Sequence, residues 1–492
     1  MASRNTIVRV ISWHTLILTG YYLVWDVDGR LLACSRKKWR RAMSDYHAFP
    51  LKPPSSSLVH LLTLAAVALV SGMANGYNGT VLEGVIPRLR AVDFITSTIG
   101  TGLLVGGLSL GGLVGSLACT QLAYRLSRRH MVLVGEVIII CSVLTFALAK
   151  QFELCIAGRV LTGIGVGICG LAKPLIVSEL SPPEQRGFLV SLFAVGQSIG
   201  MNVFYLADWG LPDVEEATWM WRPLVAMGAL PAAVVVIIAL LTSRSPYWDQ
   251  PPSAVAKGEP RTLLDEEKAQ QSVSSGEPSQ LLRDMFTKER WPVRRNFFLI
   301  LALMFGYNLS GTLIISNFAG EILASIGAGN RALPIAIGIV QFLGLLSAAF
   351  GSDRFGRRPL LLLSCILSCG CLFSIAALLG WQDQLASMLG GAMTPMLLGL
   401  MMTVEYAVGA GLNPIRIVVS AELMPNRYRS LGMSLGNAVG WSLALLSSFF
   451  FPILSALSGG PAPQFAFFGI VVLLLTIFLA VSLPETRGIS FD

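Results

Sequence analysis

The sequence predicts an all-α membrane protein of twelve transmembrane helices, arranged as two pseudo-symmetric six-helix halves. Three observations predict it. Of the 492 residues, 54% are hydrophobic, only 13% are charged and 49 are glycine, which excludes an ordinary soluble enzyme. Apolar runs recur from Leu58 onward, each near the roughly 20 residues that a helix rising about 1.5 Å per residue needs to cross a bilayer. The chain also repeats itself. Asp353-Arg354-Phe355-Gly356-Arg357-Arg358, wedged between two apolar runs, has a degenerate copy roughly 230 residues earlier in Tyr124-Arg125-Leu126-Ser127-Arg128-Arg129.

Residues 1–57 form a separate amino-terminal segment. Thr6 to Trp25 is apolar but interrupted by Arg9 and His14, and Arg36-Lys37-Lys38-Trp39-Arg40-Arg41 follows. This basic and aromatic patch suits a cytoplasmic segment resting on anionic lipid. The alternative is an additional helix spanning 6–25. No small-residue cleavage site precedes the basic cluster, so a signal peptide is not expected.

The first half, 58–242, holds runs at about 58–77, 96–118, 131–149, 154–178, 188–207 and 222–242. Residues 243–293 are rich in Pro, Ser, Glu, Gln and Lys and read as a polar cytoplasmic loop. The second half, 294–483, holds runs at about 295–318, 333–352, 359–380, 393–420, 430–452 and 463–483, and 484–492 is a short cytoplasmic tail. Basic loops follow runs two, four, eight and ten, all on one side, and the acidic loop Asp208 to Glu216 falls on the other. That asymmetry orients the bundle with the basic face cytoplasmic.

The net charge of +8 is spread over these short loops, so it serves topology and implies no nucleic-acid partner. Six of the eight cysteines lie inside apolar runs, without a ligand-spaced pair near a histidine, so no metal or other cofactor is expected. No nucleophile and base set argues for an enzyme. The internal repeat holds residue by residue. Gly76-Tyr77-Asn78 returns as Gly306-Tyr307-Asn308, and Glu179, Pro182 and Arg186 return as Glu422, Pro425 and Arg429 at the same spacing.

These motifs, with Gly158-Arg159, Gly163, Gly165 and Gly167, Arg186-Gly187 and Pro484-Glu485-Thr486-Arg487-Gly488, resemble those of the sugar porters, the facilitative glucose transporter family of the major facilitator superfamily. The resemblance covers about 58–492 and implies the major facilitator fold, a central aqueous cavity and alternating access. It also implies that basic-face charges pair across helix ends to hold the outward-open state: Arg125, Arg128, Arg129, Glu179, Arg186, Asp353, Arg354, Arg357, Arg358, Glu422, Arg429 and Glu485. Half-desolvated pairs of this kind can switch between two arrangements at a cost of about a few kcal/mol. The alternative is that they anchor helix ends at the headgroups.

The substrate positions depart from the family pattern. Its Gln-Gln-x-Ser-Gly-x-Asn run is here Tyr307-Asn308-Leu309-Ser310-Gly311-Thr312-Leu313. The fifth-helix glutamine is Ala194, with Gln197 on nearly the same face. The tenth-helix tryptophan is Ile417, although Trp441 matches in the eleventh. The expected lining is therefore Asn78, Gln197, Tyr307, Asn308, Ser310, Thr312, Asn413 and Trp441. Lys173 and Arg416 add repeat-equivalent cations about 9 Å deeper than the motif glutamates. An intramembrane charge is costly and by default functional, so the two could bind an anionic or strongly polar substrate. Otherwise each snorkels or pairs with a nearby carboxylate, Glu405 being the candidate for Arg416.

Proton-linked relatives carry an aspartate after Gly-Tyr in the first helix. Here it is Asn78, which favours uniport. The leading expectation is facilitative transport of a hexose or polyol-like solute across the plasma membrane, or an endosomal or lysosomal one. The rivals are a proton-coupled or organic-anion carrier using Lys173, Arg416 and Glu405, and a non-transporting nutrient sensor. Glu259 to Leu264 and Glu277 to Leu282 match acidic di-leucine signals for sorting adaptors, or else are faces of short capping helices.

Overall fold

The computed structural model describes residues 21–25, 31–35, 58–122, 126, 128–180, 186–212, 218–241, 291–327, 330–424 and 426–484. Both di-leucine stretches and Arg36 to Arg41 lie outside these residues. The chain divides into a unit over Met1–Leu61 and a second over Leu62–Asp492.

In the first unit, β1 (Tyr21–Trp25) and β2 (Leu31–Ser35) pair antiparallel, with Tyr21 opposite Ser35 and Trp25 opposite Leu31. Aromatic and β-branched residues in Tyr-Tyr-Leu-Val-Trp favour a strand, and Asp28-Gly29 between the two strands is a hairpin signal that apolarity alone conceals. A helix spanning 6–25 is therefore contradicted over 21–25.

The second unit is an all-helical bundle. Its first span is α1 (Leu58–Thr80) followed by α2 (Leu82–Ala91), and spans two to five are α3 (Thr98–Leu122), α4 (Arg128–Ala147), α5 (Phe152–Leu180) and α6 (Arg186–Trp209). Span six is α7 (Trp221–Ala226) with α8 (Ala229–Leu241), and span seven is α9 (Trp291–Asn308) with α10 (Thr312–Ala324). Spans eight and nine are α11 (Leu333–Phe355) and α12 (Arg357–Gly380), after which α13 (Gln382–Leu389) precedes span ten, α14 (Met393–Ala410) with α15 (Leu412–Leu423). Spans eleven and twelve are α16 (Asn426–Leu457) and α17 (Ala462–Ser482). Ten of these runs are long and apolar enough to cross a membrane, and α6 and α11 complete the twelve.

Spans one and seven break in the same register. Val81 and Gly311 each stand three residues after the repeated asparagine, Asn78 or Asn308. The local chemistry differs. Val81 keeps right-handed dihedrals and its N–H still reaches the Tyr77 carbonyl at 3.0 Å. Gly311 sits at φ 81°, a left-handed conformation that glycine adopts without a Cβ clash. Ser310 Oγ, donating to the Tyr307 carbonyl at 2.7 Å, caps that break. Span ten breaks at Gly411, where the Leu412 N–H finds Ser364 Oγ of span nine at 3.2 Å.

Glycine also decides how closely the spans pack. A Cβ at Gly163 would strike the Leu108 carbonyl and one at Gly167 the Gly112 carbonyl, so spans two and four meet backbone to backbone. Spans one and five do the same at Gly72, Gly76, Gly196 and Gly200. The halves meet where span two packs on span eleven, span five on span eight, and α2 on α10.

Candidate functional site

The polar centre of the second half gathers at the breaks of spans seven and ten. The Arg416 guanidinium carbon stands 3.8 Å from the centroid of the Tyr307 ring, a cation–π contact. Its Nη1 lies 3.0 Å from Met304 Sδ and its Nη2 3.5 Å from Asn413 Oδ1, while Nε is buried without an acceptor. A helical side chain points back toward its own helix N-terminus, and this one reaches toward the bundle middle instead of the basic face. That corrects the snorkelling alternative. Glu405 does not neutralise it: Glu405 Oε2 accepts from Gln341 Nε2 at 2.7 Å and Oε1 from Ser316 Oγ at 3.4 Å. The distance along span ten and the break at Gly411 send the two side chains to different neighbours.

Tyr307, Asn308, Asn413 and Trp441 are each partly exposed, and Gln197 is exposed. Asn308 Nδ2 donates to the Met304 carbonyl at 2.8 Å, and a Cβ on Gly440 of span eleven would lie 3.0 Å from it. Trp441 crosses between the halves, its indole over Gly112 of span two, where a Cβ would come within 2.5 Å. Ser310 and Thr312 are buried, and their hydroxyls share a 3.1 Å hydrogen bond at the helix break.

The first half treats its equivalent residues differently. Lys173 Nζ is 2.6 Å from Glu136 Oε1 of span three, both side chains wholly buried. The expectation of a substrate-facing cation there is corrected, because a fixed carboxylate already holds the charge. Glu136 was missed in the sequence, although a lone acid inside the apolar run 131–149 is a signal of an intramembrane partner. Asn78 is 2% exposed. Its amide donates to the Ala74 and Gly228 carbonyls at 2.8 and 3.1 Å, and its own carbonyl accepts from Arg159 Nη1 at 2.7 Å. It ties spans one, four and six together and is not presented as lining. Tyr77, donating to the Leu224 carbonyl at 2.7 Å, supports the same junction.

A polar seam closes the halves together on the face opposite the basic loops. Glu83 Oε1 of span one accepts the Gly320 N–H of span seven at 3.0 Å, and Tyr205 of span five donates to the Ser316 carbonyl at 3.2 Å. Arg90 pairs with Glu321 at 2.9 Å. Arg331, before span eight, donates to the Asp208 and Leu211 carbonyls, each at 3.1 Å. Asp208 itself forms an ion pair with the buried Arg88. Apart from Asp208, named as the start of the acidic loop, these seam residues were not singled out from the sequence, because their partners come from different spans.

On the basic face, Arg129 Nη2 donates to the Leu240 carbonyl at 3.3 Å and Arg358 Nη2 to the Ala480 carbonyl at 2.6 Å. Each thus binds the carboxyl end of the last span of its own half, where carbonyls lack helical partners and the helix dipole is negative. Arg357 starts α12 beside it. Arg128, Glu179, Arg186, Asp353, Arg354, Glu422 and Arg429 are placed at helix ends by their backbone. Arg125 and Glu485 lie outside the described residues.

Residues 64–492 match the family described as "Sugar (and other) transporter". Among curated relatives, Polyol transporter 5 of Arabidopsis thaliana is 27% identical over 89% of this chain and 86% of its own length. Sugar transport protein 5 of the same plant is 29% identical over 78% of each chain. The Arabinose-proton symporter of Escherichia coli is 25% identical over 87% of this chain and 91% of its own. Among solved structures, the D-xylose-proton symporter shares the fold at a TM-score of 0.71 and 20% identity, covering 88% of this chain and all of that one. An inward-open xylose transporter from E. coli gives 0.70 at 20% identity, covering 87% and 98%. The chain belongs to the sugar porter family of the major facilitator superfamily: it is a multi-pass membrane transporter of twelve helices, and not an enzyme.

Proposed function

We propose that the chain moves a hexose, polyol or related sugar-like solute by alternating access, with the basic face toward the cytoplasm of a plasma-membrane-resident carrier. The observation that carries this reading is the set of partly exposed hydrogen-bonding and aromatic side chains Tyr307, Asn308 and Asn413 at the broken spans seven and ten, with Trp441 on span eleven. Amides and hydroxyls match solute hydroxyls, and an aromatic face covers a sugar ring. Printed names of relatives, as polyol, sugar and arabinose transporters, agree with it.

Uniport is the first reading of coupling. Asn78 has no proton to exchange, and its amide is committed to two carbonyls. A second reading, proton coupling, is favoured by one observation: Glu405 is wholly buried with neutral donors, Gln341 and Ser316, around it. The arabinose relative is named a proton symporter. The gate toward the cytoplasm would be the charged helix ends of the basic face, and residues 58–242 and 294–483 would be the two moving halves, joined by a cytoplasmic 243–293. Sorting adaptors at that loop remain part of the proposal.

Counterflow in proteoliposomes tests the reading. Labelled hexose or polyol should accumulate transiently against preloaded unlabelled solute. If a proton gradient drives net accumulation and Glu405→Gln removes that drive while counterflow persists, uniport fails. Binding without any exchange would replace the carrier by a sensor.

A further inference from the structure

Arg416 is partly exposed, whereas Arg88, Arg159 and Lys173 are buried within the bundle. Arg88 and Lys173 each face a carboxylate, Asp208 and Glu136, and Arg159 gives Nη1 to the Asn78 carbonyl. Arg416 meets the Tyr307 side chain, a thioether sulfur and, at 3.5 Å, an amide oxygen, and no carboxylate among the described residues. A guanidinium carries five N–H donors, a thioether is a weak acceptor, and 3.5 Å is the outer limit of a hydrogen bond. Its Nε is left without an acceptor and its terminal nitrogens have weak ones, in a setting where unmet donors are costly. The guanidinium carbon lies over the Tyr307 ring, and the residue as a whole is partly exposed although its Nε is buried.

We propose that Arg416 forms an anion subsite within the solute site, so that the substrate is a sugar derivative bearing a carboxylate, of the uronate or aldonate class. A carboxylate accepts two parallel N–H bonds from one guanidinium edge. A phosphate monoester fits less well, because its second charge would need another cation and Lys173 is already held by Glu136. Asn413 and Tyr307 beside the guanidinium supply donors and acceptors for the hydroxyls of the same molecule. The inference rests on the carrier reading and names its substrate class.

Counterflow of labelled glucuronate, gluconate and glucose in proteoliposomes tests it. Wild type should exchange an acid at least tenfold faster than glucose at equal concentration. The acid-to-glucose ratio should fall at least tenfold in Arg416→Gln and stand between the two in Arg416→Lys, whose compact charge lacks the bidentate edge. Glucose exchange without acid exchange in wild type overturns this inference alone and leaves the carrier reading intact. Loss of both solutes in equal proportion in Arg416→Gln, with an unchanged ratio, also overturns it. Exchange of no sugar of either kind brings down both readings.

Discussion

Lys173 and Arg416 occupy equivalent positions in the two halves, yet one is sealed and the other is open. Lys173 is wholly buried against the carboxylate of Glu136, so the first half carries its cation as internal structure. Arg416 lies on Tyr307, partly exposed and on no carboxylate among the described residues, so the second half leaves its cation open. The same division runs through the repeated asparagines. Asn78 is spent on two carbonyls of its own half, one of them in span six, whereas Asn308 is partly exposed and bonds only back along its helix. The comparison teaches that symmetry of position does not carry symmetry of environment: one half braces its polar residues internally and the other leaves them partly exposed.

The sharpest way to break the comparison is to remove each cation's environment in turn. Glu136→Gln leaves an ammonium buried without its counter-charge, which costs about 3–5 kcal/mol and should lower the thermal midpoint in detergent steeply. The double variant Glu136→Leu with Lys173→Met should restore most of that loss, and failure to restore it would show that the pair does more than balance charge. Arg416→Met removes a cation–π contact worth about 2 kcal/mol or less together with an unmet donor, so its midpoint should shift less than that of Glu136→Gln. Equal shifts would erase the distinction between the halves.

Gly311→Ala tests the hinge of the second half. An alanine forced into the left-handed region costs about 1–2 kcal/mol, and the new Cβ would press on Leu372 Cδ2 at 2.9 Å. The measurement is transport rate at matched folding, and no change would mean that span seven does not need the left-handed residue. The smallest effect is expected at the rim of the seam, where Arg90 and Glu321 are partly exposed. Glu321→Gln should alter the opening of the far face by no more than about 1 kcal/mol, and less in high salt. A large, salt-insensitive effect in a distance measurement across that face would make the pair a principal latch.

The spans and the duplication were legible because hydropathy and charge asymmetry act through one helix at a time. Val81 and Gly311 show the limit, since nothing in either apolar run marks the same break, yet both interrupt their helices three residues after the repeated asparagine. The site was half legible. Tyr307, Asn413, Trp441 and Arg416 were named from motif and charge, and three of them meet or surround one another. The partners of Lys173 and Glu405, which are Glu136, Gln341 and Ser316, come from other spans, and one sequence does not say which helix faces which. The strands at Tyr21 and Leu31 were hidden because their apolar residues count toward a span as readily as toward a hairpin.

The shared register of the two helix breaks bears on ancestry. The position of the interruption is common to both halves, whereas the residue there is valine in right-handed geometry in one and glycine in left-handed geometry in the other. The shared position follows the internal repeat of the sequence, Gly76-Tyr77-Asn78 and Gly306-Tyr307-Asn308, while the conformation three residues on differs between the copies. Of the two, the left-handed Gly311 interrupts the helical ladder more completely than the right-handed Val81, whose N–H keeps its Tyr77 partner.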